Sequence, residues 1–133
     1  MEESKRILIV DDEADYVNVL SKMFIKLGYE VETALGGEYA IAKILEAPPH
    51  LMLLDVRMPG EWGGPETLKW VKKISPDTKV IVVSAVRDPE MIKEAYKLGA
   101  SGYIPKPFIF EEVKEAVEWI LSDSDKESQE RHL

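Results

Sequence analysis

Three stretches of this chain are four apolar residues long, and each ends abruptly on a polar side chain. Ile7-Leu8-Ile9-Val10 meets Asp11-Asp12-Glu13, Leu51-Met52-Leu53-Leu54 meets Asp55, and Val80-Ile81-Val82-Val83 meets Ser84. A short apolar run without alternation reads as a strand buried on both faces, and such strands belong to parallel sheets covered by helices. Helical stripes fill the intervals. Val17, Leu20, Phe24 and Leu27 mark a first helix from Ala14, closed by Gly28. Ala40, Ile41, Ile44 and Leu45 share a face of a second, stopped by Pro48-Pro49. Pro65 opens a third at its first position, with Leu68, Val71 and Ile74 inward. Asp88-Pro89 supplies the cap and first turn of a fourth, which ends at Leu98 before Gly99. Val113, Ala116, Val117 and Ile120 line a fifth, over 109–121. Two further strands complete the set, a half-exposed one from Glu30 to Ala34 and a short Gly102-Tyr103-Ile104. Alternation of this kind predicts an α/β fold: βαβ units building a five-stranded parallel sheet with helices on both faces.

The same pattern predicts one domain over residues 1–121. From Ser122 the composition turns polar and acidic, so residues 122–133 read as a disordered tail, either native or the stump of a linker to a missing domain. No apolar run reaches membrane-spanning length and no signal peptide opens the chain. With no cysteine, disulfides and thiol chemistry are excluded, and a cytoplasmic location is the expectation. The net charge of -8 argues against direct nucleic-acid binding, and two histidines, His50 and His132, do not make a zinc site.

In a parallel sheet all strand carboxyl ends lie on one side, where open α/β sheets bind ligands. The first strand leaves Asp11 and Asp12 there, the third Asp55, the fourth Ser84 and the last Lys106. Each has a plainer reading alone: the Asp pair as a helix cap, Asp55 as a turn opener, Ser84 as a strand end, Lys106 as a surface charge. Together, three carboxylates in one cleft repel unless a cation joins them, and an oxygen-only site suits Mg²⁺. A metal, an ammonium and a hydroxyl around one carboxylate are the parts for moving a phosphoryl group onto it, with Asp55 as nucleophile.

On these residues the sequence resembles the receiver domain of two-component response regulators. The resemblance rests on Ile7-Leu8-Ile9-Val10-Asp11-Asp12-Glu13, Leu53-Leu54-Asp55-Val56-Arg57-Met58-Pro59-Gly60, Val82-Val83-Ser84-Ala85 and Gly99-Ala100-Ser101-Gly102-Tyr103-Ile104-Pro105-Lys106-Pro107-Phe108. It implies a doubly wound, flavodoxin-like sheet of order 2-1-3-4-5. It implies a signalling domain that takes a phosphoryl group onto Asp55 from a sensor histidine kinase or histidine phosphotransfer protein, and no enzyme activity beyond its own phosphorylation and dephosphorylation. Asp12, Asp55 and the backbone carbonyl of Arg57 would hold Mg²⁺, with Asp11 acting largely through water. Ser84 and Lys106 would bind the phosphoryl oxygens, and the Lys106-Pro107 bond would be cis. Movement of Ser84 and inward rotation of Tyr103 would change the face of the fourth helix, last strand and fifth helix, for a downstream partner, a missing output domain or a phosphorylation-dependent dimer.

The stretch Gly60-Glu61-Trp62-Gly63-Gly64-Pro65 departs from the family pattern, as does Pro105 beside Lys106, and Arg57 and Val86 flank the site. A pseudo-receiver, an interaction module without phosphotransfer, is the alternative; it is expected to lack Asp55 or Lys106. A flavin-mononucleotide binder would place its phosphate against Asp11-Asp12-Glu13, which repels it. A haloacid-dehalogenase-type hydrolase needs a second acid where Arg57 stands, and no phosphate-binding glycine motif supports a nucleotide enzyme.

Overall fold

The computed structural model of the protein describes residues 4–55 and 64–130. Strand and helix alternate throughout: β1 (Arg6–Val10), α1 (Ala14–Lys26), β2 (Glu30–Ala34), α2 (Gly37–Glu46), β3 (Leu51–Leu54), α3 (Gly64–Ile74), β4 (Lys79–Ser84), α4 (Pro89–Lys97), β5 (Gly102–Pro105) and α5 (Phe110–Glu130). All pairings are parallel, in the order β2-β1-β3-β4-β5.

Successive side chains of a strand point to opposite faces, so each apolar run is divided by parity. Leu8, Val10, Met52, Leu54, Val80 and Val82 pack against Ala40 and Ile44 of α2, Leu68 and Val71 of α3 and Ala95 of α4. Ile7, Ile9, Leu51, Leu53, Ile81, Val83 and Ile104 pack against Val17, Leu20 and Phe24 of α1 and Val113, Val117 and Leu121 of α5. Full burial of one such aliphatic side chain contributes about 1.5–3 kcal/mol of transfer free energy. That gain, rather than helix propensity, holds the helices to the sheet. β2 is an edge strand, and its alternating Glu30, Val31 and Glu32 fit one wet side.

Local signals act as their chemistry requires. The Asp88 side chain accepts a hydrogen bond from the Glu90 N–H at 3.0 Å, with Pro89 opening α4. Gly28 and Gly99 follow the ends of α1 and α4 with φ of +97° and +108°. Pro65 lies one residue inside α3, which begins at Gly64. Leu27, expected on the first helical stripe, instead caps α1 and is exposed, and two further expectations change. Leu45 is exposed, because the Ala40–Ile44 row faces the sheet and Leu45 lies beside that row. The tail expected to be disordered from Ser122 instead continues α5 to Glu130. It holds no Gly or Pro, and its Glu, Lys and Gln are good helix formers.

Gly99 is constrained twice. Its φ disfavours any side chain, and a Cβ would lie 3.0 Å from Lys72 Cγ. The Lys72 side chain cannot easily give way, since its Nζ donates to the carbonyls of Pro76 at 3.0 Å and Thr78 at 2.8 Å. Gly28 has the same kind of φ but open space around it. Gly99→Ala is therefore expected to lose about 1–3 kcal/mol, and more than Gly28→Ala. Equal urea midpoints for the two variants would show that the Lys72 contact is without consequence.

Candidate functional site

The sheet order makes β1 and β3 neighbours while α1 and α3 leave them on opposite faces, which opens a crevice at their carboxyl ends. The register pairs Val10 with Leu54, so the two residues that follow, Asp11 and Asp55, emerge side by side. The Asp55 N–H donates to the Val10 carbonyl at 3.0 Å and the Asp11 N–H to the Ala34 carbonyl at 3.1 Å. Both side chains are buried, at 2% and 6% exposure, and Asp12 is exposed. Ligand atoms of Asp11, Asp12 and Asp55 all lie within 4.8 Å of one another.

Lys106 enters this crevice from the end of β5. Its Nζ donates to Asp11 Oδ2 at 2.7 Å and Asp55 Oδ2 at 3.3 Å, and lies 3.7 Å from Glu13 Oε1. Its own N–H donates to the Ser84 carbonyl at 2.9 Å, and the Lys106-Pro107 peptide is cis. Ser84 is fully buried, and its Oγ accepts from the Val86 N–H at 3.2 Å. Tyr103 is half-buried against the α2–α3–α4 layer, and its hydroxyl donates to the Val86 carbonyl. Val86 is thus gripped at its N–H by Ser84 and at its carbonyl by Tyr103. The Tyr103 ring already lies on the core, with its hydroxyl tied to the β4–α4 loop.

The charges are finely set. Burial alone would lower the Lys106 pKa; the hydrogen bond to Asp11 and the charges of Asp11 and Asp55 outweigh it, and the net direction is upward. The ammonium therefore stays protonated at neutral pH and offsets part of the carboxylate repulsion. Burial, with the nearby Asp11, Asp55 and Glu13 charges, pushes the Tyr16 phenol far above its usual range. Tyr103 is raised too, chiefly by burial. The donor set is oxygen only, with one exposed carboxylate facing solvent, which suits a hard cation that keeps some of its water.

All the predicted side chains at Asp11, Asp12, Asp55, Ser84, Tyr103 and Lys106 fall at this one edge. Arg57, and residues 60–63 of the glycine-rich loop, lie outside the described residues. Sequence reasoning missed three contributors. Glu13 approaches Lys106, Arg87 Nη2 donates to the Lys106 carbonyl at 3.0 Å, and the Tyr16 ring lies 4.5 Å from Lys106 Nζ. Only Glu13 carried a signal, as the third acid of the run after β1.

The comparisons agree with this geometry. The model of the response regulator receiver domain matches residues 7–118. Chemotaxis protein CheY of Thermotoga maritima is 41% identical over 114 residues, which cover 85% of this chain and 94% of that protein. Sporulation initiation phosphotransferase F of Bacillus subtilis is 36% identical over 118 residues, 89% of this chain and 94% of the relative. The crystal structure of a CheY-like receiver domain protein from Methanospirillum hungatei JF-1 superposes with a TM-score of 0.90 at 32% identity, covering 94% of this chain and 99% of that one. A parallel sheet of this order, an acid cluster at its switch point and a match across nearly all the core mean that the chain belongs to the response regulator receiver domain family.

Proposed function

We propose that the chain is a phosphoacceptor switch in which Asp55 receives a phosphoryl group from the phosphohistidine of a sensor kinase or histidine phosphotransfer protein. The observation that carries this reading is the Lys106 ammonium held between the buried Asp11 and Asp55 carboxylates. A carboxylate oxygen of Asp55 forms the new O–P bond as the donor's N–P bond breaks, and the departing imidazole keeps the bonding pair. Lys106 turns from the carboxylates to the phosphoryl oxygens, whose charge needs a fixed cation beside it. Mg²⁺, when bound, adds further positive charge on those oxygens, and Asp11, Asp12 and Asp55 are the residues that would hold it.

Ser84 supplies a hydroxyl to the same oxygens. Doing so withdraws it from the Val86 N–H, and Tyr103, tied to the Val86 carbonyl, feels the change. The α4–β5–α5 face is then the surface a downstream protein, an output domain or a second copy reads, a population shift biased by one local charge. In this reading the chain transforms no other substrate and acts in the cytoplasm; among the described residues no helix is long and apolar enough to cross a membrane.

The test is intact mass after incubation with acetyl phosphate, with Mg²⁺ or with EDTA, for the wild type and Asp55→Asn. We expect one phosphoryl adduct that requires Mg²⁺ and is absent from the variant. A wild type that stays unlabelled where another receiver is labelled would leave an interaction module with the fold alone.

A further inference from the structure

The geometry points to Tyr16 as a positioning residue for Lys106: its ring forms a platform that keeps the ammonium over the Asp11–Asp55 crevice. Lys106 Nζ lies 4.5 Å from the Tyr16 ring centroid, within the range at which a cation is drawn to the negative face of an aromatic ring. The ring is itself held edge-on by Phe108, with centroids 5.7 Å apart at 75°. Phe108 follows the Lys106-Pro107 pair, so the chain that carries the ammonium also braces the surface on which it rests. The inference builds on the proposed role of Lys106 and adds what fixes its position.

A lysine side chain is a point charge on a four-carbon stem, and ion pairing alone does not hold it in one place. Three carboxylates lie within reach. Asp11 and Asp55 are in the crevice, while Glu13, at 3.7 Å, is exposed and offers a route outward. A ring beneath the ammonium favours the inner position over the outer one. The Tyr16 hydroxyl contributes nothing comparable, because it is buried and finds no hydrogen-bond partner among the described residues. An unpaired buried hydroxyl is unfavourable, so the contacts of the ring are what keep the side chain there. The two functions of a tyrosine are therefore separable: Phe keeps the ring and removes the hydroxyl, and Met keeps an apolar side chain of adaptable shape and removes the ring.

The experiment uses the full chain as wild type, Tyr16→Phe and Tyr16→Met, with two readouts. In carbon-resolved proton spectra, the Lys106 ε-methylene protons are expected upfield of ordinary lysine values through the ring current, in the wild type and Tyr16→Phe but not in Tyr16→Met. Labelling by acetyl phosphate with Mg²⁺ is expected to slow on the order of two- to tenfold in Tyr16→Met, the scale of a lost cation–π contact, and to be rescued in Tyr16→Phe. Unshifted Lys106 protons in the wild type overturn the inference. So does a folded Tyr16→Met that labels at the wild-type rate, or a Tyr16→Phe that slows as much as Tyr16→Met. If Tyr16→Met does not fold, the wild-type shift and its retention in Tyr16→Phe decide. A wild type that takes no label defeats the phosphoacceptor reading, whereas the Lys106 shift judges the platform independently of phosphorylation.

Discussion

Lys106→Met is expected to bind Mg²⁺ about tenfold more tightly than the wild type while taking up phosphoryl groups about 10- to 100-fold more slowly. The two effects have one cause. The ammonium sits 2.7 Å from Asp11 Oδ2 and 3.3 Å from Asp55 Oδ2, the carboxylates a divalent cation needs, and so competes with it. Removing it leaves two buried acids with less positive charge around them, and an added cation gains more by joining them. The transferred phosphoryl group, in contrast, loses a fixed positive partner that no mobile solvent ion replaces. Calorimetric titration gives the first quantity and the time course of acetyl phosphate labelling the second. Weaker Mg²⁺ binding in the variant would mean that Lys106 preorganises the acids rather than competing for them.

Phe24→Ala should remove about 3–5 kcal/mol of folding free energy, a fifth or more of the total for a domain with ordinary stability of about 5–15 kcal/mol. Phe24 is fully buried in the layer formed by α1 and α5. Its ring meets those of Tyr29 at 5.7 Å and Phe110 at 5.1 Å, both edge-on, so one truncation empties the junction between the end of α1, the start of β2 and the start of α5. The Phe24 carbonyl also accepts from the N–H groups of Leu27 and Tyr29 where the chain turns into β2, and those bonds survive the substitution. The loss is thus a packing loss, and Phe24→Leu should recover more than half of it. Urea unfolding followed by circular dichroism measures both variants. A deficit under about 1 kcal/mol in Phe24→Ala would mean that α5 settles into the space.

The strands and the placement of the candidate site at one sheet edge were legible for one reason: every buried strand ends at a residue that cannot be buried cheaply. Leu54 followed by Asp55, and Val83 followed by Ser84, locate a strand end and a site position at once. The spatial order 2-1-3-4-5 was not contained in those runs, since an apolar strand does not name its neighbour; it came with the resemblance. Tyr16 escaped because an aromatic in the first turn of α1 looks like any core residue, and its partner Lys106 is supplied by the far end of the chain. The extension of α5 was hidden because a polar stretch rich in Ser and Asp suggests disorder, whereas what it lacks is a Gly or Pro to stop the helix. Leu45 was misplaced because a helical stripe two rows wide meets a flat sheet along one row.

The uninterrupted apolar runs leave their alignment weakly defined. A strand that alternates polar and apolar residues punishes a one-residue slip by exposing its greasy side. β1 and β3 would present hydrocarbon to both layers after such a slip. What a slip cannot accommodate is the punctuation: moved one place inward, Asp11 or Asp55 would lie between helices with neither water nor Lys106 beside it. The acids of the candidate site therefore also mark where each strand ends, and a chain stripped of them would lose the ruler that sets its register.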